Sequence, residues 1–448
     1  ERTFYKSFFA MTVTMALQNI IVFGVNLADS IMMGAYSETA LSGVGICNNI
    51  QYFLMMAATG VSSGMTVIAA RYWGRNDRKS IHLISAVGMW LGAAFSVIIF
   101  LFAAIAPEFL IRLYTDKPAV AEQALQYLDI IKHTYIIYAL TTVLLSILRS
   151  VETVKIGFYV SLSSFAVNIV LNYIFIYGKF GAPEMGVRGA ALATLIARSI
   201  ELVVVVIYTL FIDKKLSFRL RDLFVTTRSM FGDYFRTGLP LMMSSVSWGV
   251  AMSIQGAIIG RLDESAIAAN SIATTIFQIA TVICYASSNA TCVLIGKTIG
   301  EDAPMETIKS RSRRLQLIFL GIGVVSSAIL LLCKTLIIDF YDATPQTIAY
   351  TNQFIWVLAV SIIGTSYEAP CLCGIVSGGG ETGFVLKNDF IFMWLVVLPI
   401  SALSAFVFKS PVVVPFACLK ADQVIKCIVA YFKVNSFNWV RKITKEAE

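Results

Sequence analysis

The feature that most limits what this chain can become is a series of apolar stretches, recurring from one end to the other. A bilayer core is crossed by about 20 helical residues, so each such stretch reads as a membrane span. Six lie near residues 7–33, 42–70, 80–106, 122–148, 156–177 and 186–212. A polar, basic stretch at 213–229 separates them from six more, near 230–259, 267–296, 315–337, 346–377, 383–408 and 411–434. The chain is 57% hydrophobic and only 14% charged, where a soluble protein carries roughly 25% charged residues. The expected fold class is an all-α polytopic membrane protein with about twelve transmembrane helices, embedded in the lipid bilayer.

Lys and Arg give the expected orientation, because cytoplasmic loops carry the excess of cations. Arg71, Arg75, Arg78 and Lys79 follow the second span; Lys214, Lys215, Arg219, Arg221 and Arg228 follow the sixth; Lys309, Arg311, Arg313 and Arg314 precede the ninth. All fall on one side, and an even helix count then puts both termini in the cytoplasm. The net charge of +8 is read as this positive-inside bias, with no nucleic-acid partner expected. The first span is too long for a cleavable signal and lacks a small-residue cleavage site, so it is expected to persist. The eight cysteines lie almost wholly in apolar segments without zinc spacing or a disulfide framework, and read as core thiols.

The chain repeats itself. "GAYSETALSGVGICNNI" from Gly34 aligns without gaps on "GRLDESAIAANSIATTI" from Gly260, an offset of 226 that also sets Arg71 and Gly74 against Lys297 and Gly300. The domain expectation is an N-terminal lobe over 1–212, a cytoplasmic linker over 213–229 and a C-terminal lobe over 230–448. An even number of helices per repeat makes both lobes enter the membrane from the same side, related by an axis along the membrane normal, as in rocking carriers.

Polar residues inside these spans are where function is sought, since lipid offers them no partner. Asp29 is a carboxylate within the first span. Gln18 shares its helical face, and Asn26 lies on the adjoining strip. Asn168 and Asn172, at i and i+4 of the fifth span, aim two amides in one direction. They are expected to complete a pocket with Asp29. A hard cation such as sodium favours their oxygen atoms, and a desolvated carboxylate alternatively takes a proton; both coupling ions stay open, and Asp29 is the one candidate metal ligand. In the second half, Gln255 answers to Asp29 and Ser244 to Gln18 through the repeat. Glu368 has no cation on its own helix and is the best candidate acid there; Gln18, Asn26, Gln255 and Glu368 are the expected substrate-cavity residues. Arg198 with Glu201, and Asp129 with Lys132, are spaced to neutralise each other. His133 reads as a packing residue, and Asp389, Lys420 and Asp422 as residues that dock the last two helices. The many Phe, Tyr and Met side chains suit a wall for flat cations.

Enzyme signatures fail. "GKT" at Gly296–Thr298 would need glycine at 291 to be a phosphate loop, and that residue is Thr291. No catalytic residue and no bound cofactor is expected.

"ADSIMMGAYSETALSGVG" from Ala28, "NIVLNYIFIYGKFGAPEMGVRGAALATLIAR" from Asn168 and "SGGGET" from Ser377 together resemble the multidrug and toxic compound extrusion (MATE) family, across nearly the whole chain. The resemblance implies two six-helix lobes around a central cavity. It also implies export of small organic cations or drugs in exchange for sodium ions or protons, by alternating access. Asp29 matches the family's coupling acid on the first helix, and Asn168 and Asn172 match pocket positions on the fifth. This chain departs from some relatives in having an amide at Asn172 where they have a second carboxylate, and Ser245 near where many have glutamate. The expected setting is a multi-pass protein of the cell membrane, acting as a monomer. The rival within carriers is a flippase of a lipid-linked precursor, which would need a strongly cationic cavity.

Overall fold

The computed structural model describes residues 2–262, 264–340 and 344–441. Among these the regular structure is helical throughout. The helices are α1 (Arg2–Tyr36), α2 (Glu38–Gly74), α3 (Arg78–Ile105), the short α4 (Pro107–Arg112), α5 (Pro118–Ile131), α6 (Thr134–Ser150), α7 (Lys155–Tyr177) and α8 (Val187–Ile207). They continue as α9 (Arg228–Gly260), α10 (Glu264–Gly300), α11 (Met305–Phe340), α12 (Pro345–Ala369), α13 (Thr382–Phe390), α14 (Leu398–Ala402) and α15 (Val413–Ser436).

Ten segments are long and apolar enough to cross a membrane, and α5 with α6 forms an eleventh crossing bent by 52°. The 24-residue α15 is the twelfth helical segment; Lys420, Asp422, Lys426 and Lys433 give it more charge than the ten carry across a membrane-length stretch. Large apolar side chains such as Ile98 (61% exposed) and Leu332 (81%) face outward, which only a lipid environment tolerates at this density. The protein is an all-α polytopic membrane protein.

Helix ends follow local chemistry. Asp77 caps α3 by accepting from the Ser80 amide at 3.0 Å, which satisfies one of the free N–H groups of a helix start. Pro107, Pro118 and Pro345 open α4, α5 and α12, where the missing N–H costs nothing. Gly178 ends α7 in the left-handed region at φ 62°, a conformation glycine adopts without strain. Pro370 and Pro399 interrupt the α ladder, and wider π-helical turns over Pro370–Val376 and Ile391–Val397 flank them.

The helices divide into two compact units. The first comprises Leu17–Ala69 and Asp77–Met242. Its core gathers Met33, Leu54, Tyr127, Tyr135, Ile176 and Ala191 from α1, α2, α5, α6, α7 and α8. Gly189 lets α8 approach the α7 backbone at Phe175, since a Cβ there would stand 2.6 Å from its carbonyl carbon. The basic stretch 213–229 is docked on α3: Trp90 Nε1 donates to Phe224 O at 2.8 Å, Thr226 Oγ1 to Leu83 O at 2.8 Å, and Leu216, Phe218 and Leu223 are buried.

The second unit comprises Glu1–Ala16, Ala70–Asn76 and Met243–Glu448. Its core is built from α9, α10, α12 and α15, with Phe354 and Phe416 stacked at 3.8 Å. Within it the ends of α2 and α10 meet at Gly74 and Gly300. A Cβ on Gly74 would fall on the Lys297 carbonyl, and one on Gly300 on the Arg71 carbonyl. The exchange is reciprocal, as at a two-fold axis.

Candidate functional site

In the first unit, α1 and α7 share a polar seam. Asn172 Nδ2 donates to Asp29 Oδ1 and, at 3.1 Å, to Asn168 Oδ1. Asn168 Nδ2 donates in turn to Thr194 Oγ1 of α8 at 3.3 Å. The i, i+4 spacing of the asparagines makes this chain possible, because it stacks both amides on the α7 face that meets α1. Two acceptors fix the Asn172 amide: its NH₂ must face both oxygens. Its own carbonyl oxygen, Oδ1, is thereby left buried and without a hydrogen-bond partner. Asn168 and Asn172 are buried, while Asp29 is half-buried.

The surroundings hold this group in place. Tyr177 OH donates to Met32 O at 2.8 Å, pinning the ends of α7 and α1 together. Arg198 of α8 pairs with Glu201 at 2.9 Å and lies over the Tyr138 ring at 5.2 Å. Its charge also reaches Asp29. Gln18, three helical turns below Asp29, packs on Gly157 at the start of α7, with its Oε1 2.8 Å from where a Cβ would stand. Asn26 is exposed on α1 one turn from Asp29. The structure thus lines up Gln18, Asp29, Asn168 and Asn172 along one helix seam.

The second unit holds a different polar group. Lys426 of α15 lies 3.0 Å from Asp389 Oδ1 of α13 and 3.3 Å from Asp422 Oδ2 of its own helix. Ser244 Oγ of α9 donates to Asp389 Oδ2 at 2.5 Å. Glu368 is buried on α12 beside this group, with the Lys426 charge acting on it. That cation stands on another helix, beyond the reach of spacing along α12. Gln255 is buried and donates to Met393 Sδ at 3.3 Å, a neutral contact far weaker than a carboxylate would make. Lys420 sits over the Phe277 ring at 4.6 Å.

Lys426 and Thr194 are the residues that sequence reading passed over. Lys426 was signalled by its i, i+4 spacing from Asp422; Thr194, a single hydroxyl on an alanine-rich helix, carried no signal. The expected self-neutralising pairs do form, Lys132 to Asp129 at 2.8 Å as well as Arg198 to Glu201. His133 bonds the Ile130 carbonyl at 3.1 Å and packs on Phe100. All eight cysteines are free, with Cys373 exposed and four others buried. Among the described residues no group of three or more His, Cys, Asp or Glu side chains is arranged to hold a metal ion. A cation at the α1–α7 seam would have to use one carboxylate and amide oxygens.

Comparison with known proteins adds three findings. The MatE family model matches residues 14–174 and 240–403, one segment in each half of the repeat. An uncharacterized transporter, YisQ of Bacillus subtilis (strain 168), is 23% identical over 99% of this chain and 96% of its own length. A probable multidrug resistance protein, NorM of Thermotoga maritima, is 24% identical over 96% of this chain and 92% of its own. Among solved structures, MATE in complex with MaL6 superposes with a TM-score of 0.85 at 21% identity, over 96% of this chain and 95% of that one. An outward-facing multidrug resistance transporter gives 0.83 over the same shares.

Proposed function

The chain belongs to the MatE family, and from that premise we propose that it exports small organic cations or drugs by antiport with sodium ions or protons, acting as a monomer in the cell membrane. The observation that carries this reading is the buried, unpartnered Asn172 Oδ1 beside the Asp29 carboxylate. An orphaned buried carbonyl costs free energy unless something meets it part of the time. A hard cation does so with the oxygens of Asp29 and Asn172 as its first ligands.

Each residue has a distinct part. Asp29 supplies the negative charge that takes up and releases the ion. Asn172 orients Asp29 by donating to Oδ1 and offers its own oxygen. Asn168, held by Thr194, fixes the Asn172 rotamer. Should the coupling ion be a proton, it goes to Asp29 Oδ2, because Oδ1 already accepts from Asn172. Gln18 and Asn26 extend the polar lining along α1 for substrate. In the second unit Lys426 is shared between Asp389 and Asp422; we assign coupling to the first unit, with Glu368 and Gln255 acting on substrate. Alternating access by the two repeat halves and a cytoplasmic location of both termini complete the proposal. No cofactor enters it. The flippase reading has no support in the relatives reported above.

The test is efflux of a fluorescent organic cation from proteoliposomes under a sodium or a proton gradient, imposed one at a time. Wild type is expected to respond to one of them. Asp29→Asn should abolish gradient-driven export, while Gln255→Ala changes mainly apparent substrate affinity. Full coupling in Asp29→Asn together with its loss in Glu368→Gln would move the ion site to the second unit and overturn the assignment.

A further inference from the structure

On the second unit, α11 and α15 both pack tightly on α12. Gly323 brings α11 onto it, a Cβ there standing 3.0 Å from Ile363 Cα, and Gly364 brings α12 onto the Gln423 backbone of α15. The outer two helices meet each other only briefly, and between them runs a furrow of about 810 Å³. That volume lies in the range of ligand pockets, about 300–1,000 Å³. Its walls include Leu317, Leu320, Val360, Val424 and Ile428, all strongly exposed apolar side chains.

The furrow is graded in polarity. The start of α11 and the ends of α12 and α15 lie together at one end of it, where Gln316 Oε1 accepts from Tyr367 OH at 2.7 Å and from Asn435 Nδ2 at 3.2 Å. Arg313 lines this end, and Lys309 precedes it by one turn on the same face of α11. Both cations stand over the Phe437 ring, at 5.9 and 5.5 Å. Two positive charges, then amides and a phenol, then an apolar slot along α15 from Asn435 to Val424, about 16 Å at 1.5 Å per residue, match the sequence of groups in an anionic glycerophospholipid. Basic pockets between transmembrane helices recognise such headgroups by charge.

We propose that this furrow is a binding site for an anionic glycerophospholipid, its phosphate at Lys309 and Arg313 and an acyl chain along Leu317, Leu320 and Ile428. Charge complementarity at the end of an apolar slot selects this occupant over a zwitterionic lipid, whose own ammonium is repelled there. The inference is independent of the ion site and of the transported substrate.

The experiment uses the full chain purified in a mild non-ionic detergent. Native mass spectrometry counts retained phosphatidylglycerol or phosphatidylcholine of identical acyl chains. Wild type is expected to retain phosphatidylglycerol on the order of tenfold better. The pair Lys309→Gln with Arg313→Gln should bring the ratio towards one. Ile428→Trp, which fills the slot from an exposed position, should lower retention of both lipids; Ile329→Trp, exposed elsewhere on α11, should not. Val424→Phe serves as a second slot-filling variant should Ile428→Trp fail to fold. Equal retention of the two lipids by wild type, or a preference that survives the double substitution, overturns the proposal. So does a wild-type dimer that the slot-filling variants dissociate while lipid retention is unchanged, which would make the furrow an interface between copies of this chain.

Discussion

Gly74 and Gly300 pack backbone to backbone, and each occupies the position of the other in the internal repeat. A side chain on either would strike a main-chain carbonyl, which has no rotamer to escape by. Gly300→Ala is therefore expected to destabilise the protein by about 1–3 kcal/mol, the usual cost of overpacking. Gly256→Ala is the control, because a Cβ there meets nothing within 4 Å. Thermal unfolding of the detergent-purified variants checks both, and equal melting temperatures would mean that the two helix ends separate without cost.

The Asn172 amide is expected to matter for ion dependence more than for folding. Asn172→Leu removes a hydrogen bond to a carboxylate, about 1.5–3 kcal/mol, and the free carbonyl oxygen with it. The ion concentration for half-maximal transport should rise on the order of tenfold or more, with membrane insertion intact. Asn168→Ala, acting through Asn172, should shift it in the same direction by less. Initial rates against ion concentration are the measurement, and an unchanged curve for Asn172→Leu returns both asparagines to helix packing.

Removing the Lys426 ammonium leaves Asp389 and Asp422 without their cation. Asp422 is 1% exposed and Lys426 5%, so Lys426→Met is expected to cost about 3–5 kcal/mol, as for other broken buried pairs. The double variant Lys426→Met with Asp422→Asn should recover much of that loss. A double-mutant cycle on unfolding temperature reads the coupling directly. Strict additivity of the two substitutions would show that the ion pair adds nothing to stability.

The arginine and lysine pattern predicts sidedness. Single cysteines at Arg78 and Arg219 in a background lacking reactive thiols should be labelled by an impermeant reagent only from the cytoplasm. One at Lys117 should be labelled only from outside. Labelling of Arg78 and Lys117 from the same face is incompatible with the proposed topology.

Much of the fold was legible because a bilayer filters sequence harshly: every span must be long and apolar, and so announces itself. The exceptions have physical reasons. The run at 122–148 is continuous in hydropathy, yet the helix breaks between Ile131 and Thr134, because hydropathy reports solvent preference and not backbone direction. The stretch 213–229 is polar in composition, yet Leu216, Phe218 and Leu223 are buried against the first unit, since three apolar anchors suffice to dock a basic segment. At the α1–α7 seam, the asparagine spacing gave the face, but the pairing of Asn172 with Asp29 spans 143 positions. Only the tertiary fold joins such partners. Lys426 was hidden from Asp389 in the same way, 37 positions away on another helix.

Lys426 also bears on how the protein responds to membrane voltage. On the proposed mechanism, an ion that binds at Asp29 on one side and leaves on the other carries its charge through the electric field, at about 2.3 kcal/mol per elementary charge per 100 mV. The Lys426 ammonium is tied to its helix by four methylene groups and returns with the protein at the end of each cycle. Over a complete turnover it adds nothing to the charge delivered. The reversal potential of the exchange then counts only the ions and substrate that dissociate.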